Sequence, residues 1–495
     1  MNRASAPSGR DLDRALLKGF AWASGGRWVV QLFTLGVSML VARVLAPQDY
    51  GIASMAWVYV GLVQLVGELG IGITLIRRRD LAPPVVESIA ALSVLTGATL
   101  AVLSWPAGLV MAHFYREPRV GPVIGVLGLS LVFAAVRQVS NALLVRDFDF
   151  RRSTMLTVTE SVTSASGNLL FASLGFGYWA LVIGSTVGAL VSTVMGLSFR
   201  PVRLRSPRLA IRTSGVVRFS ANLLTDRLAW YFYISADSLA IGRHRGSEQL
   251  GLYSLAIQVA AIPLERVIVG FVQALLPVAS AVADKKDEAA RYFVSTLELV
   301  AFLAFPMTLG MAAVSRVLLV GVLGPEWAPA AGSLAILALA ANSRVIGSVS
   351  SQFIIAMGDA RFTSRRAMLA LFTLAPGFVI ASFHSILAVA VVWALVHPVV
   401  VGIPSALHAC RLVSLPVGRV LSVLVPYAVS AALCAGVALI CVTWSPGEPQ
   451  IRLAVAIGAG ALSYVVYLWV FHSERLLRFQ RLARGQFASQ PAVAE

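Results

Sequence analysis

The sequence predicts an all-α, polytopic membrane protein: about 14 transmembrane helices, set as two parallel six-helix lobes with two extra C-terminal helices. Three observations carry that expectation. Hydrophobic residues make up 58% of the chain and charged residues only 13%, whereas soluble domains run near 45–50% apolar and about 25% charged. That leaves too little charge to coat the several domains that 495 residues would otherwise form. Apolar runs of spanning length follow one another along the whole chain, and the sequence partly repeats itself at an offset of 200 residues.

A spanning helix needs about 20 mainly apolar residues. Residues 1–15 are a polar tail with Arg3, Arg10 and Arg14. The run at 16–45 is longer than the roughly 7–15 apolar residues of a signal-peptide core and reads as an uncleaved first span. Runs at 51–76, 85–113, 120–145, 153–174 and 177–199 complete an N-terminal lobe over 16–199. The basic segment 200–215, RPVRLRSPRLAIRTSG, is the longest loop between spans and serves as a linker. Runs at 216–242, 251–279, 292–323, 329–357, 365–383 and 386–410 build a C-terminal lobe over 216–410. Two additional helices, 418–443 and 452–472, occupy 411–472, and 473–495 is a second polar tail.

The net charge of +17 would suggest a nucleic-acid partner in a soluble chain. Here the basic residues sit in short clusters between apolar runs, and no aromatic-interleaved basic stripe occurs, so a nucleic-acid partner is not expected. With the N-terminus inside, 28 Lys and Arg fall on the cytoplasmic side. Only Arg116, Arg119, Arg243, Arg245 and Arg452 fall outside. The positive-inside rule then orients the chain with both termini and the 200–215 linker in the cytoplasm.

The repeat aligns RVLAPQDYGIASMA (43–56) with RHRGSEQLGLYSLA (243–256), pairing Arg43 with Arg243, Gly51 with Gly251 and Ser54 with Ser254. At the same offset Arg27 meets Arg227, Gly70 meets Gly270 and Pro106 meets Pro306. Six spans separate the copies, an even number, so both halves share one orientation. Parallel repeats of this kind mark transporters whose halves rock about a central cavity.

No G-x-S-x-G, H-E-x-x-H or Walker A motif is present, so neither hydrolytic chemistry nor an ATPase on this chain is indicated. Cys410, Cys434 and Cys441 have neither framework nor zinc-site spacing. No metal or cofactor is expected.

The informative residues are charges inside spans, each expensive unless it faces a cavity or a partner. Arg27 lies about 16 Å into the first span at 1.5 Å per residue, near the midplane. Arg227 occupies the corresponding place in the seventh span, Glu265 and Arg266 are mid-depth in the eighth, and Arg137 and Arg344 in the fourth and tenth. One reading is static interhelical pairing with Glu68, Glu160, Asp226, Asp237, Glu265 or Glu298. The other is a cationic cavity lined by Arg27, Arg227, Arg266, Arg137 and Arg344, with Glu68, Asp237 and Glu265 as ion-coupling or bridging acids. A guanidinium suits a phosphate because its planar fork bonds bidentately and stays charged. The cavity reading therefore implies an anionic, phosphorylated substrate.

ARVLAPQDYGIASMAWVYVGLVQLVGELGIGITLIRRRDL (42–81), LLVRDFDFRR (143–152), ADSLAIGRHRGSEQLGLYSLAIQVAAIPLERV (236–267) and LGPEWAPA (323–330) together resemble the polysaccharide transport family of oligosaccharide flippases. The likeness is to the colanic-acid-exporter-like branch and covers roughly 15–480. That family belongs to the multidrug/oligosaccharidyl-lipid/polysaccharide flippase superfamily. The resemblance implies a flippase moving polyprenyl-diphosphate-linked oligosaccharide units across the bacterial cytoplasmic membrane, for lipopolysaccharide, capsule or exopolysaccharide synthesis. It implies two six-helix lobes in a V, membrane lipids around them, and a polysaccharide polymerase and export machinery as partners. Related flippases hold the diphosphate with arginines of the first and eighth helices, where Arg27 and Arg266 stand here. Two alternatives remain: a cation-coupled multidrug extruder of the same fold, which would favour cavity acids, and a polytopic polymerase or ligase, which would need a large external loop.

Overall fold

The structure, a computed structural model, describes residues 30–68, 72, 75, 81–206, 216–263, 279–280 and 282–483, without the side chains of 68, 216–226 and 474–483. These residues are mostly helical, joined by short loops, with no strand among them. Among the described residues ten helices are long and apolar enough to cross a membrane, and Val30–Val44 is a shorter apolar helix, α1. The sequence count of 14 includes four further runs: 16–45 and 251–279, which extend outside the described residues, and 153–174 and 216–242, which are helical but not among the ten.

Contacts divide the chain into two compact units, Met1–Ser254 and Leu255–Glu495. The first holds α1, α2 (Pro47–Glu68), α3 (Pro83–Tyr115), α4 (Val120–Arg146), α5 (Phe150–Ser173), α6 (Trp179–Phe199) and most of α7 (Val216–Ile262). The division falls inside α7, beyond the 200–215 linker. Gly246 turns α7 sharply at φ 80° and ψ −176°, a backbone that glycine alone adopts without strain. Asp237, fully buried on the first limb, accepts a hydrogen bond from Tyr253 Oη on the second at 2.8 Å, tying the limbs across that turn.

α5 covers the run expected at 153–174 yet is too polar to count among the ten apolar helices. Part of its polar face packs against α6. Gly184 and Gly188 bring the α6 backbone against Asn168 and Ser164, where an added Cβ would lie 2.1 Å from Asn168 Oδ1 and 1.9 Å from Ser164 Oγ. Ser192, one further turn along the same face, donates to the Leu156 carbonyl at 3.0 Å. Small residues at four-residue spacing let backbones approach closely where lipid supplies no hydrophobic drive between helices.

The repeat has a structural counterpart. A Cβ on Gly51 would sit 1.7 Å from the Ser247 carbonyl oxygen, and one on Gly251 would sit 1.7 Å from the Pro47 carbonyl oxygen. Pro47 and Ser247 are themselves 200 residues apart. The crossing of α2 with the second limb of α7 therefore maps onto itself under the sequence repeat. Reciprocal contacts of this form are what a two-fold relation produces.

The second unit continues with α8 (Lys286–Val322), α9 (Ala331–Ala356), α10 (Ala360–Ser382), α11 (Ile386–His397), a π-turn at Pro398–Gly402, α12 (Ile403–Leu412), α13 (Val417–Trp444) and α14 (Pro449–Ala483). The hairpin α13–α14 packs on α8. Pro306 inside α8 has no N–H for the Phe302 carbonyl one turn back. Tyr464 Oη of α14 donates to that freed oxygen at 2.8 Å, and Tyr427 Oη of α13 donates to buried Glu298 at 2.9 Å. Two tyrosines thus fasten the extra helices to the polar defects of α8. On the far side large apolar residues stay exposed, including Trp444, Trp469 and Phe471. In water that surface would aggregate; in a multi-pass membrane protein it faces lipid.

Asp359, in the loop between α9 and α10, caps α10 by accepting from the Phe362 N–H, and its Oδ2 lies 2.9 Å from His408 Nε2. The His408 bond, with Phe362 and Arg365 behind it, holds this carboxyl below its usual range. A depressed carboxylate stabilises the fold above its ordinary value, about pH 3.9, and loses that contribution as pH falls through the lowered one. Asp359→Asn is therefore expected to lower the melting temperature near neutral pH, with the gap to wild type closing in acid. A gap that persisted unchanged at low pH would contradict this.

Candidate functional site in the N-terminal helix bundle

In the first unit a polar cavity of about 190 Å³ opens between α2, α3 and α4. Arg137, Gln138 and Asn141 of α4 and Gln64 of α2 give it its polar lining. Arg137 and Asn141, four residues apart, share one face of α4. Gly67 and Gly97 border the cavity and keep its walls low. Asn141 is oriented by Ser153 Oγ, which donates to its Oδ1 at 2.6 Å. Arg137 Nη1 lies 2.8 Å from Glu160 Oε2, and its Nε is buried without a hydrogen-bond partner. The guanidinium is thus half-satisfied: one edge faces an acid, and one N–H remains unused.

The structure places the other sequence candidates as follows. Arg227 is half-buried on the first limb of α7. Four residues on, Tyr231 Oη donates to the Val58 carbonyl at 2.6 Å. Arg344, in the second unit, stacks on the Trp393 ring at 4.9 Å, and Ser343 Oγ lies 3.3 Å from His397 Nδ1. Asp237 is engaged by Tyr253 and by the Ser238 N–H at 2.6 Å. Glu68 ends α2, its side chain outside the described residues, as are Arg27, Glu265 and Arg266. No arrangement gathering all five arginines is therefore described.

Sequence reasoning overlooked Gln64, Gln138 and Asn141, although AAVRQVSNALL carries four polar residues within five positions of an apolar span. That cluster was the available signal. The stacking of Arg344 on Trp393 had none, since 49 residues separate them.

Residues 40–332, more than half of the chain, match the family described as polysaccharide biosynthesis protein. The chain belongs to that family. Relatives of this polysaccharide biosynthesis protein include the teichuronic acid biosynthesis protein TuaB of Bacillus subtilis (strain 168), 24% identical over 95% of this chain and 99% of that one. The succinoglycan biosynthesis transport protein ExoT of Rhizobium meliloti (strain 1021) is 24% identical over 61% of each. The lipopolysaccharide biosynthesis protein WzxC of Escherichia coli (strain K12) is 22% identical over 72% of this chain and 74% of that one. Among solved structures, the lipid II flippase MurJ in an inward closed conformation superposes with a TM-score of 0.74, at 14% identity, over 90% of this chain and 99% of that one. An inward-facing multidrug resistance MATE transporter of the MOP superfamily gives 0.62 at 15% identity, over 78% of this chain and 94% of that one. The fold is the two-lobed one these transporters share.

Proposed function

We propose that this polysaccharide biosynthesis protein is a flippase that moves polyprenyl-diphosphate-linked oligosaccharide units across the bacterial cytoplasmic membrane by alternating access of its two lobes. The observation that carries the reading is the Arg137 cavity. A guanidinium and three amide side chains face one chamber inside an apolar bundle, where a drug-extruding relative would need acids for its cations. Arginine serves phosphate, and amides serve sugar hydroxyls. A succinoglycan transport protein among the relatives and a lipid II flippase among the structural neighbours agree with such a substrate. The protein acts as a transporter and not an enzyme, with both termini cytoplasmic, and hands its cargo to a polymerase and export machinery. Arg27 and Arg266 complete the diphosphate grip, Arg227 and Arg344 contribute from the second repeat, and Glu68, Asp237 and Glu265 are the coupling or bridging acids.

The test is export in living cells. Arg27→Ala and Arg266→Ala are expected to abolish surface polysaccharide with protein level unchanged, and Arg27→Lys to restore it only in part, lacking the fork. Full export by both alanine variants would sink the proposal. Topology is tested separately: Arg205→Cys should resist a membrane-impermeant thiol reagent in intact cells, and strong labelling there would reverse the orientation.

A further inference from the structure

A second group of cations stands apart from the Arg137 cavity. At the C-terminal end of α3, a cavity of about 540 Å³ is lined by Ala112, His113, Arg116, Pro118 and Arg243. Among the described residues its lining carries two guanidiniums and an imidazole and no carboxylate. The adjacent acid, Glu117, is already committed. Both its oxygens take Arg119, at 2.7 and 2.9 Å, and Ser247 Oγ donates to Oε2 at 3.3 Å.

Two explanations compete. Cations in the last turn of a helix offset the negative end of its dipole, and that accounts for His113 and for Arg116, the left-handed cap of α3 at φ 57°. It does not account for Arg243. That residue arrives from a different helix, α7, is held 5.8 Å over the Phe114 ring, and has an Nη1 that is buried without a hydrogen-bond partner. An orphaned guanidinium N–H beside an open cavity is costly unless something else accepts from it. Two of the five basic residues that the charge count puts outside, Arg116 and Arg243, meet in this one place.

We propose that Arg116, Arg243 and His113 form an anion site for a phosphate group at the outer end of the first unit. Two guanidinium forks match the oxygens of a phosphate or diphosphate, and the volume exceeds what a single phosphate fills. On the flippase reading, its natural occupant is the diphosphate emerging in the outer leaflet; an anionic phospholipid headgroup offers the same chemistry. The site itself does not depend on that reading.

The experiment uses the full chain with its three cysteines replaced by alanine and Ala112→Cys, a lining position that carries no cation, as a local reporter, held in nanodiscs and labelled with a maleimide. In phosphatidylcholine discs, inorganic pyrophosphate is expected to slow labelling severalfold. Arg243→Ala should raise the half-protecting concentration about tenfold or more, Arg243→Lys less, and Arg245→Ala, outside the lining, not at all. Protection by pyrophosphate assigns the site to a diphosphate. Protection only when the discs contain phosphatidylglycerol assigns it to a lipid headgroup. Arg116→Ala, on an exposed turn, repeats the measurement should Arg243→Ala fail to fold. No protection by either anion, or protection that survives both substitutions, overturns the proposal and leaves these cations as helix-end charges. Polysaccharide export decides the flippase reading independently, so the two can fail separately.

Discussion

Gly51→Ala and Gly251→Ala are each expected to lower thermal stability sharply, by more than the usual cost of overpacking. That usual cost is about 1–3 kcal/mol, where side chains can shift to make room. Here the obstructing atoms are backbone: the Ser247 carbonyl oxygen 1.7 Å and its carbon 2.5 Å from the new Cβ of residue 51, and the Pro47 carbonyl oxygen 1.7 Å and carbon 2.7 Å from that of residue 251. A carbonyl within a helix cannot swing aside without losing its own hydrogen bond, so the two helices must separate. The reciprocal geometry adds a second expectation. Because either substitution alone already opens the same crossing, the double variant should cost clearly less than the sum of the singles. Gly436→Ala is the control. It lies in α13 with nothing within 4 Å of the added Cβ, so it should be neutral or stabilising by about 0.5–1 kcal/mol, the helix preference of alanine over glycine. Thermal unfolding of purified protein, followed by monodispersity, reads all four variants. A wild-type melting temperature for Gly251→Ala would mean that the α2–α7 crossing is not as close as described.

That crossing also marks how far the sequence could be read. Gly51 and Gly251, and Pro106 and Pro306, stand in register because the apolar runs around them stand in register; spacing alone reveals a repeat. The purpose of those residues was not visible. Glycine within a span reads equally as packing or bending until the opposing backbone is known, and Pro306 reads as a kink until Tyr464 is found on its freed carbonyl. α5 was legible as a helix but not as a polar one hidden against α6, because Gly184, Gly188 and Ser192 matter only through the partners they admit. The site divides in the same way. Arg137 was legible as an expensive charge, since burial cost is a property of one residue and its depth. Its partner was not, because Glu160 was one of six acids and pairing depends on how two helices turn. Glu298, counted among the arginine partners, receives the Tyr427 hydroxyl, a contact no spacing announced. What belongs to a single residue was readable; what belongs to a pair was not.

The pairing of Arg137 with Glu160 permits the sharpest separation of a static bridge from a substrate grip. Removing one partner of a fully buried ion pair costs about 3–5 kcal/mol, because the remaining charge is left uncompensated. The cost here is smaller, since the side chains are 22% and 28% exposed. Arg137→Met should therefore destabilise moderately, and Arg137→Met with Glu160→Gln should recover most of that loss by removing the stranded charge. Stability alone does not distinguish the two roles; export does. Were the arginine only a bridge, the double variant, folded again, would export again. If the guanidinium holds phosphate through the N–H that Glu160 leaves unused, the double variant will be stable and present in the membrane yet make little surface polysaccharide. We expect the second outcome. Glu160→Gln alone supplies the converse, because it frees the whole fork for the substrate without deleting it. Its affinity for a polyprenyl diphosphate should rise while turnover falls, since a grip no longer opposed by an acid is harder to release. Restored export in the double variant, or no change of affinity in Glu160→Gln, would return Arg137 to the role of a structural bridge and move the search for the diphosphate site to Arg27 and Arg266.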